Sequence, residues 1–344
     1  MNALYFQEHG SIEQLRYGDI EDPRCRANEA IIRVRACALN HLDIWVLRGW
    51  PGLKLQMPHV GGADIAGEIA ALGSNVERWK VGDRVVIEPG FVSGEDEWTR
   101  RGEDSVSPHY HVIGEGCRGG FAEYVAVPAT SLHPFPQGFT FSSAAAPLLV
   151  GLTAWRMLRE RAQLTRGESV LIVGAGGGVN SFAIQLARYI GAEVIALSSS
   201  DEKLDKATAL GANHVINYRR YPDWSRIVKR LTNNRGVDVV IDNVGAKTFE
   251  QSIRSVVRGG RIVTVGNTSG PTLSVDNRLI FTKQISIIGS TMGSANDFRE
   301  AMDVVWSGGV KPVIDSEIPL KEGKVAYRML ERGQQFGKLV LIPG

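Results

Sequence analysis

Six short apolar runs divide the second half of the chain, and helix-like segments separate them. Each run is dominated by valine and isoleucine rather than by alternating apolar and polar residues. Such runs are typical of strands buried on both faces of a parallel sheet. They predict a doubly wound, six-stranded Rossmann sheet. In chain order they are SVLIVG (169–174), EVIALS (193–198), HVINY (214–218), VDVVIDNVG (237–245), RIVTVGN (261–267) and ISIIGS (285–290).

The first third of the chain has a different pattern, in which glycine and proline interrupt short β-like runs. No helical period separates these runs, so they predict a compact β-rich domain. The last residues return to the β pattern and are expected to rejoin that domain. The predicted fold class is therefore α/β, with a β-rich domain over residues 1–130 and 309–344 and a dinucleotide-binding domain over 131–308. The β-like runs are EAIIRVRACAL (29–39), GEIAALG (67–73), DRVVIEP (83–89) and FAEYVAVP (121–128).

Composition narrows the possible partners and the cellular compartment. A net charge of +2 without long runs of one sign leaves no electrostatic footprint for nucleic acid or an anionic membrane. The N-terminus lacks the basic start and apolar run of a signal peptide, and no segment approaches the ~20 apolar residues that span a bilayer. Three scattered cysteines, Cys25, Cys37 and Cys117, offer neither a disulfide framework nor a thiolate zinc cage. We expect a cytoplasmic protein with a small-molecule substrate.

A glycine-rich turn follows the first apolar run of the second half, in the sequence GAGGGVN (174–180). Glycines allow a sharp turn and close approach to a pyrophosphate, and a helix beginning near Val179 offers free N–H groups. A strand before the turn and a helix after it predict a dinucleotide site. The pattern is imperfect, because Asn180 would place a side chain where helix and cofactor approach each other. The expected contacts are Gly174, Gly176, Gly177, Gly178 and Val179.

The end of the second strand predicts which dinucleotide binds. An NAD-binding protein places an acidic residue there for the ribose 2′-hydroxyl, whereas this chain has Ser198, Ser199 and then Lys203, with Tyr218 ending the next strand. Hydroxyls and a cation suit a 2′-phosphate, so NADP (NADPH) is the expected cofactor. The alternative is that Lys203 is a solvated helix residue.

The charged loop between Pro89 and Pro108 raises a question about metal. Its residues Ser93, Asp96, Thr99 and Ser107 have the spacing that four cysteines of a structural zinc site would have. One carboxylate and three hydroxyls make a poor zinc site. The spacing by itself leaves metal loss, metal substitution and coincidence open.

These segments together resemble the medium-chain dehydrogenase/reductase superfamily over essentially the whole chain. The resemblance implies a β-rich, GroES-like catalytic domain, a Rossmann domain, and an active site in the cleft between them. It also implies a homodimer or homotetramer that forms through the last Rossmann strand, ISIIGS (285–290). The segments that carry it are GGADIAGEIAALGSNVERWKVGDRVV (61–86), GGFAEYVAVP (119–128), AAPLLVGLTAWRML (145–158) and the glycine turn.

Some members of the superfamily depend on a catalytic zinc ion and others do not. The sequence of this chain departs from the pattern of the zinc-dependent members. Asn40, Ala63 and Leu149 align with the three catalytic zinc ligands of zinc-dependent alcohol dehydrogenases, and Leu42 replaces the hydroxyl of their proton relay. The chain instead resembles the zinc-free branch that includes NADPH:quinone oxidoreductases, and no metal is expected. On this resemblance the 89–108 loop is a zinc lobe that has lost its metal.

The resemblance also implies roles for individual residues. Asn40, Asp43 and Asp64 are the expected catalytic residues, although a turn role for Asn40 and structural roles for both aspartates remain open. Further cofactor contacts are expected at Thr153 and Lys338, and at His41, for which an exposed histidine is the alternative. Asn243, Gly266 and Asn267 are expected contacts because they follow consecutive strands, where ligands gather in such sheets. The substrate pocket is expected to include Trp45, Trp50, Leu149, Phe281 and Met292, for which core packing is the alternative.

The resulting hypothesis is an oxidoreductase that transfers hydride from NADPH to a quinone or α,β-unsaturated carbonyl without zinc. One alternative is a non-catalytic NADPH-binding protein with a redox-sensing or structural role. Another is an alcohol dehydrogenase that binds metal through His109, His111 and Cys117. The sequence does not distinguish quinone, enal, enone and enoyl-CoA acceptors.

Overall fold

A computed structural model describes residues 1–344 as two compact units, each with its own apolar core. The first unit comprises Met1–Val150, Gly293–Trp306 and Pro312–Gly344, and the second comprises Gly151–Met292 and Ser307–Lys311. The predicted fold class is confirmed, since one unit is β-rich and the other contains a parallel sheet covered by helices.

The chain forms eighteen strands and ten α-helices. The strands are β1 (Asn2–Phe6), β2 (Arg16–Asp19), β3 (Glu29–Ala38), β4 (His59–Val60), β5 (Asp64–Leu72), β6 (Arg84–Ile87), β7 (Gly90–Val92), β8 (Tyr110–Val112), β9 (Tyr124–Pro128), β10 (Leu132–Pro134), β11 (Ser169–Val173), β12 (Glu193–Ser198), β13 (His214–Asn217), β14 (Val237–Asp242), β15 (Val256–Thr264), β16 (Ser286–Gly289), β17 (Ile314–Pro319) and β18 (Lys338–Ile342). The helices are α1 (His41–Arg48), α2 (Phe141–Ala145), α3 (Leu148–Trp155), α4 (Gly178–Ile190), α5 (Asp201–Ala209), α6 (Trp224–Leu231), α7 (Phe249–Ser255), α8 (Asn277–Lys283), α9 (Ala295–Trp306) and α10 (Gly323–Glu331).

A seven-stranded sheet organises the first unit. Its order is β10-β6-β5-β3-β18-β17, and β9 also pairs with β3. The long strand β3 is central because its apolar residues are buried along most of its length. The C-terminal strand β18 joins antiparallel to β3, with Val340 opposite Ala38. This pairing places the beginning of β18 beside the end of β3 and the beginning of β5.

The second unit is a six-stranded parallel sheet in the order β13-β12-β11-β14-β15-β16. Strands β11, β12 and β14 are buried almost completely, as their continuous apolar sequences predict. The order reverses next to β11, and ligands bind beside such a reversal in doubly wound sheets. Strand β16 is one edge of the sheet, and Ile287 on it is 40% exposed.

The limits of the two units differ from the expected limits at residues 130 and 309. Strand β10 lies beyond residue 130 but pairs antiparallel with β6, which keeps the chain in the first unit until Val150. Helix α9 also belongs to the first unit, because its Phe298 ring lies 4.9 Å from the ring of His133. Hydrogen bonds and aromatic packing therefore decide these limits, and the change in hydrophobic pattern did not reveal them.

One helical stretch, Phe141–Arg161, has the length and apolar content of a membrane span. However, 83% of the apolar 18-residue segment within this stretch is buried inside the protein. This burial is typical of the core helix of a soluble protein.

Candidate active site

Asn40 connects strand β3 to helix α1 and is the N-cap residue of that helix. The backbone N–H of Asn40 donates to Asp43 Oδ2 at 2.7 Å. The side-chain amide instead reaches two charged partners: Nδ2 donates to Asp64 Oδ2 at 3.0 Å, and Oδ1 accepts from Lys338 Nζ at 2.5 Å. The amide also donates to Ala38 O at 3.4 Å, so Asn40 contacts local backbone and bridges residues from two other strands, and its catalytic role stays a prediction.

Asn40, Asp64 and Lys338 form a buried group that we call the Lys338 cluster. Lys338 Nζ donates to Asp64 Oδ2 at 2.8 Å, and the backbone N–H of Leu149 donates to Asp64 Oδ1 at 2.7 Å. The side chain of Lys338 is 5% exposed and that of Asp64 is 0% exposed. Charges this deeply buried persist only when they are paired and hydrogen-bonded, as these are. The cluster forms because β5, β3 and β18 are neighbours in the sheet.

Asp43 fixes the backbone beside the cluster. Besides the Asn40 N–H, it accepts the N–H of Gly62 on Oδ1 at 2.9 Å, so each carboxylate oxygen has one backbone donor. Burial raises the pKa of Asp43 to about 7, although these hydrogen bonds oppose the shift. This geometry suits a structural role in holding the segment around Gly62.

His41 is half-buried next to the cluster, with its ring 6.4 Å from the ring of Trp45. Burial, followed by the positive charges of Lys338 and Arg48, lowers the pKa of His41 to about 4. The imidazole is therefore neutral at neutral pH and can offer an N–H donor but no positive charge.

The glycine turn of the second unit has the backbone that dinucleotide recognition requires. Gly174 has φ +89°, in the left-handed region that favours glycine. Gly177 is the N-cap of α4, which begins at Gly178, one residue before the expected start near Val179. The first backbone N–H groups of this helix have no partner within the helix and can bind an anion.

Asn180 does not project into the cofactor's expected path, which corrects the expectation from the sequence. Its side chain is buried, and Nδ2 donates to Val173 O at 2.7 Å and to Gly174 O at 2.9 Å. Its Oδ1 accepts from Asn243 Nδ2 at 2.9 Å. Asn180 thus ties the start of α4 to the ends of β11 and β14, in the place where the motif has a glycine.

The ends of β12 and β13 bring together residues expected to select the cofactor. The backbone N–H of Tyr218 donates to Ser198 O at 3.1 Å, so these two residues are adjacent. Ser198 is buried and Ser199 is half-buried, and Lys203 lies on α5, which follows β12. Asp201 receives hydrogen bonds from Asn217 and Arg220, which makes it a link to β13.

Three further expected cofactor residues lie in the second unit. Thr153, on α3, is buried, and its Oγ1 has no hydrogen-bond partner within the protein. Such an atom fits a site whose ligand supplies the missing partner. Gly266 and Asn267 follow β15, and a Cβ on Gly266 would lie 3.0 Å from the carbonyl oxygen of Asn243. The residues of this unit therefore fit a dinucleotide.

Comparison with known proteins decides the family. The alcohol dehydrogenase GroES-like domain matches residues 26–137, and the zinc-binding dehydrogenase domain matches residues 178–307. An NAD-dependent alcohol dehydrogenase of Sulfolobus acidocaldarius is 33% identical, with 99% of each chain covered. An acryloyl-coenzyme A reductase of Metallosphaera sedula is also 33% identical, again with 99% of each chain covered.

The chain belongs to the zinc-binding dehydrogenase family. It is an oxidoreductase of the medium-chain dehydrogenase/reductase superfamily. A solved NAD-dependent alcohol dehydrogenase is 41% identical, with a TM-score of 0.96 and 100% of each chain covered. The crotonyl-CoA carboxylase/reductase AntE, solved in complex with NADP, is 26% identical with a TM-score of 0.91, and the match covers 99% of this chain and 94% of AntE.

Although the family is named for zinc binding, the residues at the three expected ligand positions of this chain do not fit a catalytic zinc ion. Of the three positions aligned with zinc ligands, Ala63 and Leu149 have no side-chain donor atom. The third, Asn40, has its amide oxygen engaged by the Lys338 ammonium. A divalent cation at this place would be repelled by the ammonium, and none of these three positions offers a thiolate or imidazole ligand.

The lobe between β7 and β8 does not fit zinc either, because hydrogen bonds connect the positions that would bind it. Asp96 Oδ1 accepts the N–H groups of Trp98 and Thr99, both at 2.9 Å, and Oδ2 accepts the Ser107 hydroxyl at 2.7 Å. The fourth position, Ser93, bonds to His111 Nε2 at 2.8 Å. Asp96 therefore orders the turn that a metal would otherwise hold.

The residues expected to line a pocket are divided between the two units. Trp45, Trp50 and Leu149 belong to the first unit, where Leu149 is buried and Trp50 is 40% exposed. Phe281 and Met292 belong to the second unit, where Phe281 is 60% exposed and Met292 is buried. Neither unit by itself brings all five together, and their role remains a prediction.

The partners of two polar residues were missed by sequence reasoning. Lys338 was expected to face the cofactor, and its pairing with Asp64 was not foreseen. A single lysine beginning the apolar run KLVLI was the available signal, since a charge within a buried strand needs a partner. For Asp96, spacing drew attention to the position but did not reveal the hydrogen bonds.

Proposed function

We propose that this protein reduces a carbon–carbon double bond conjugated to a carbonyl group, by hydride transfer from NADPH and without catalytic zinc. Candidate acceptors are quinones, enones, enals and enoyl thioesters. The observation that carries the proposal is the Lys338 cluster, in which Asn40, at the position of a zinc ligand, binds an ammonium ion.

The chemistry of the acceptor explains why the cluster favours this reaction. A Lewis acid stabilises the alkoxide formed from a simple alcohol by several kcal/mol, and without one that oxidation loses this stabilisation. A conjugated acceptor takes hydride at carbon and moves negative charge to a distant oxygen, which hydrogen-bond donors can stabilise. Two similar proteins have names that refer to conjugated thioesters, acryloyl-coenzyme A reductase and crotonyl-CoA carboxylase/reductase.

The proposed cofactor site uses the second unit. The glycine turn and the start of α4 would hold the pyrophosphate, while Ser198, Ser199 and Lys203 would hold the 2′-phosphate. Bound NADPH supplies the hydride. Several similar proteins are named NAD-dependent, so the preference for NADPH has to be measured directly.

The first unit supplies the polar groups in this proposal. Asn40 and Asp64 hold Lys338 in one position, and Asp43 fixes the adjoining backbone. Trp45 and Leu149 would supply apolar contacts to the acceptor. In this proposal water supplies the proton that completes the reduction, and Leu42 offers no hydroxyl for a relay.

Assembly and location are parts of the same proposal. The edge strand β16 would join two subunits in a homodimer, which could further assemble into a homotetramer. A cytoplasmic location is proposed with it, and the net charge of +2 supports the absence of a nucleic-acid or membrane partner.

The test is an assay of the purified protein against a panel of acceptors with NADPH and, separately, NADH. We expect oxidation of NADPH by at least one quinone, enone, enal or enoyl thioester, at a rate that a metal chelator leaves unchanged. Oxidation of an alcohol with NAD⁺ that a chelator abolishes would overturn the proposal. Binding of NADPH, measured by thermal shift, without turnover of any acceptor would favour a non-catalytic protein.

A substitution tests the cofactor site within the same assay. Ser199→Asp places a carboxylate beside the expected 2′-phosphate, and we expect kcat/KM with NADPH to fall by about tenfold or more while NADH is accepted at least as well. Asp205→Asn, on the same α5 helix, is the control and should preserve the wild-type ratio. An unchanged ratio in the Ser199 variant would remove Ser199 from the site.

A further inference from the structure

The Lys338 cluster contains a positively charged donor that is not fully used. An ammonium group has three N–H bonds, and Lys338 Nζ donates to Asn40 Oδ1 at 2.5 Å and to Asp64 Oδ2 at 2.8 Å. These two bonds leave one donor for another acceptor. The cluster itself is rigid, because Asp64 also accepts from Asn40 Nδ2 and from the Leu149 backbone.

We propose that Lys338 is a catalytic residue whose third N–H donates to the carbonyl oxygen of the conjugated acceptor, in place of the metal ion used by zinc-dependent relatives. This inference rests on the proposed function. In this role Lys338 supplies a positive charge and a hydrogen-bond donor that are held in place.

Lys338 would act in one step of the reduction, when negative charge collects on the carbonyl oxygen. Hydride from NADPH adds to the β carbon, the electron pair of the double bond moves toward the carbonyl, and negative charge collects on its oxygen. The ammonium donates a hydrogen bond to that oxygen, and water then protonates the α carbon and restores the carbonyl. The acceptor is reduced and the nicotinamide is oxidised, without transfer of the lysine proton.

The surroundings suit an electrostatic role of this kind. Donors that are held in place before the reaction stabilise developing charge without the cost of reorganisation, and low exposure strengthens their effect. Lys338 is held by two oxygens and is almost completely buried. Its positive charge also affects a residue outside the ion pair. Burial is the main cause of the lowered pKa of His41, and the charge of Lys338 is the next cause.

Position in the chain favours a functional cluster over an ordinary ion pair. Asn40 and Leu149, two of the three residues aligned with zinc ligands, bond to members of the cluster, Asn40 through its side chain and Leu149 through its N–H. Ala63, the third, directly precedes Asp64. In this chain the Lys338 ammonium therefore takes the place that the resemblance assigns to the zinc ion.

A spectroscopic experiment tests this contact without turnover. An aryl-substituted enoyl thioester, cinnamoyl-CoA, is mixed with the protein in the absence of NADPH, and its absorption spectrum is recorded. Polarisation of the carbonyl by an ammonium shifts the conjugated absorption to longer wavelength. We expect the shift with wild-type protein and with Lys338→Arg, which keeps a cationic donor, and its loss in Lys338→Met.

Two further variants separate catalysis from structure. Lys321→Met removes an exposed lysine from the first unit and should behave as wild type. Lys338→Met with Asp64→Asn removes both charges, so that no unpaired carboxylate remains buried if the single variant fails to fold. The double variant should fold, bind NADPH with a Kd within about twofold of wild type, and lack the spectral shift.

The rate measurements complete the test. With an acceptor that wild type reduces, we expect Lys338→Met to lower kcat by about 10²- to 10³-fold, the effect of removing one oxyanion donor. A spectral shift that persists in Lys338→Met, or a large loss of NADPH affinity there, would overturn the inference in favour of a structural or cofactor contact. If wild type reduces no conjugated acceptor, the proposed function fails, while the spectrum still reports whether Lys338 contacts the carbonyl.

Discussion

At the scale of single residues, Asp96 carries out locally what a metal ion does in zinc-bearing lobes. One carboxylate collects two backbone N–H groups and the hydroxyl of Ser107, so the turn at residues 96–99 is held to the segment around Ser107. The Ser107 hydroxyl is the main cause of the lowered pKa of Asp96. The charged form of Asp96 is therefore the form that orders the lobe.

Removing the Asp96 carboxylate should loosen the lobe and leave the rest of the protein folded. We expect Asp96→Ala to increase hydrogen exchange and protease cleavage between residues 91 and 111, because three donors lose their acceptor. The control is Glu97→Ala, which removes a neighbouring exposed carboxylate that forms only a surface ion pair with Arg101. Equal exchange in the two variants would contradict the role of Asp96.

A second prediction at the scale of single residues concerns how the stability of the protein depends on pH through His41. Its pKa is about 4 in the folded protein against an ordinary value of 6.5. The unfolded chain therefore binds a proton at His41 before the folded protein does, and stability is lost as pH falls from 6.5 to 4. For a half-buried side chain we expect a contribution on the order of 2 kcal/mol.

The measurement is chemical unfolding of wild type and His41→Gln at several pH values. The variant should lose less free energy of unfolding than wild type between pH 6.5 and 4, since glutamine binds no proton. His109→Gln changes a histidine that is exposed and should follow the wild-type curve. Parallel curves for all three proteins would show that His41 is not shielded from protonation.

At the scale of elements, the turn between β11 and α4 depends on a polar side chain as well as on glycine. Gly174 supplies the left-handed backbone, while Asn180 fixes where the helix begins by bonding to the carbonyls of Val173 and Gly174. The link to Asn243 extends this restraint to β14. The shape of the expected pyrophosphate site is therefore set by three elements together.

Asn180→Ala should destabilise the second unit by about 1–3 kcal/mol, because buried polar groups lose their partners. The loss of the restraint should also weaken NADPH binding. Both are measured in one set of experiments, as the unfolding midpoint in urea and the Kd from nicotinamide fluorescence. Tyr189→Ala, on the same helix at a position 58% exposed, should stay within about 0.5 kcal/mol of wild type. If Asn180→Ala has the same unfolding midpoint and the same Kd for NADPH as Tyr189→Ala, the hydrogen bonds of Asn180 do not stabilise the second unit or its cofactor site.

At the scale of the whole molecule, we expect only one of the two edge strands of the second unit's sheet to take part in assembly. Strand β16 ends the sheet on one side and β13 ends it on the other, and both carry an exposed apolar residue. Only β16 is expected to join a second copy of the chain. An unpaired strand edge offers backbone groups for such pairing.

We expect Ile287→Arg on β16 to convert the proposed dimer to a monomer, because each subunit would bring a buried positive charge to the proposed interface. Val215→Arg makes the same change on β13, where the residue is 37% exposed, and should leave the assembly unchanged. Light scattering after size-exclusion chromatography gives the mass of each variant. A dimer that persists in Ile287→Arg would place the interface elsewhere.

Much of the fold could be predicted because local pattern determines it. Strand β12 coincides with EVIALS at 193–198, and the other five apolar runs match strands of the same sheet within a few residues. Short strands such as β4, β7 and β10 were missed, since two or three residues show no period. The limits of the two compact units differ from the expected domain limits where distant residues pair, as β10 does with β6.

The sequence by itself determined the α/β class, the glycine turn and the absence of zinc-ligand side chains at positions 40, 63 and 149, because these depend on residue type and order along the chain. Only the tertiary structure decided that Lys338 pairs with Asp64 and Asn40, residues separated by 274 and 298 positions. Side-chain partners of this kind follow from which strands become neighbours in a sheet. That arrangement results from packing of the whole unit and leaves no periodic trace in the sequence.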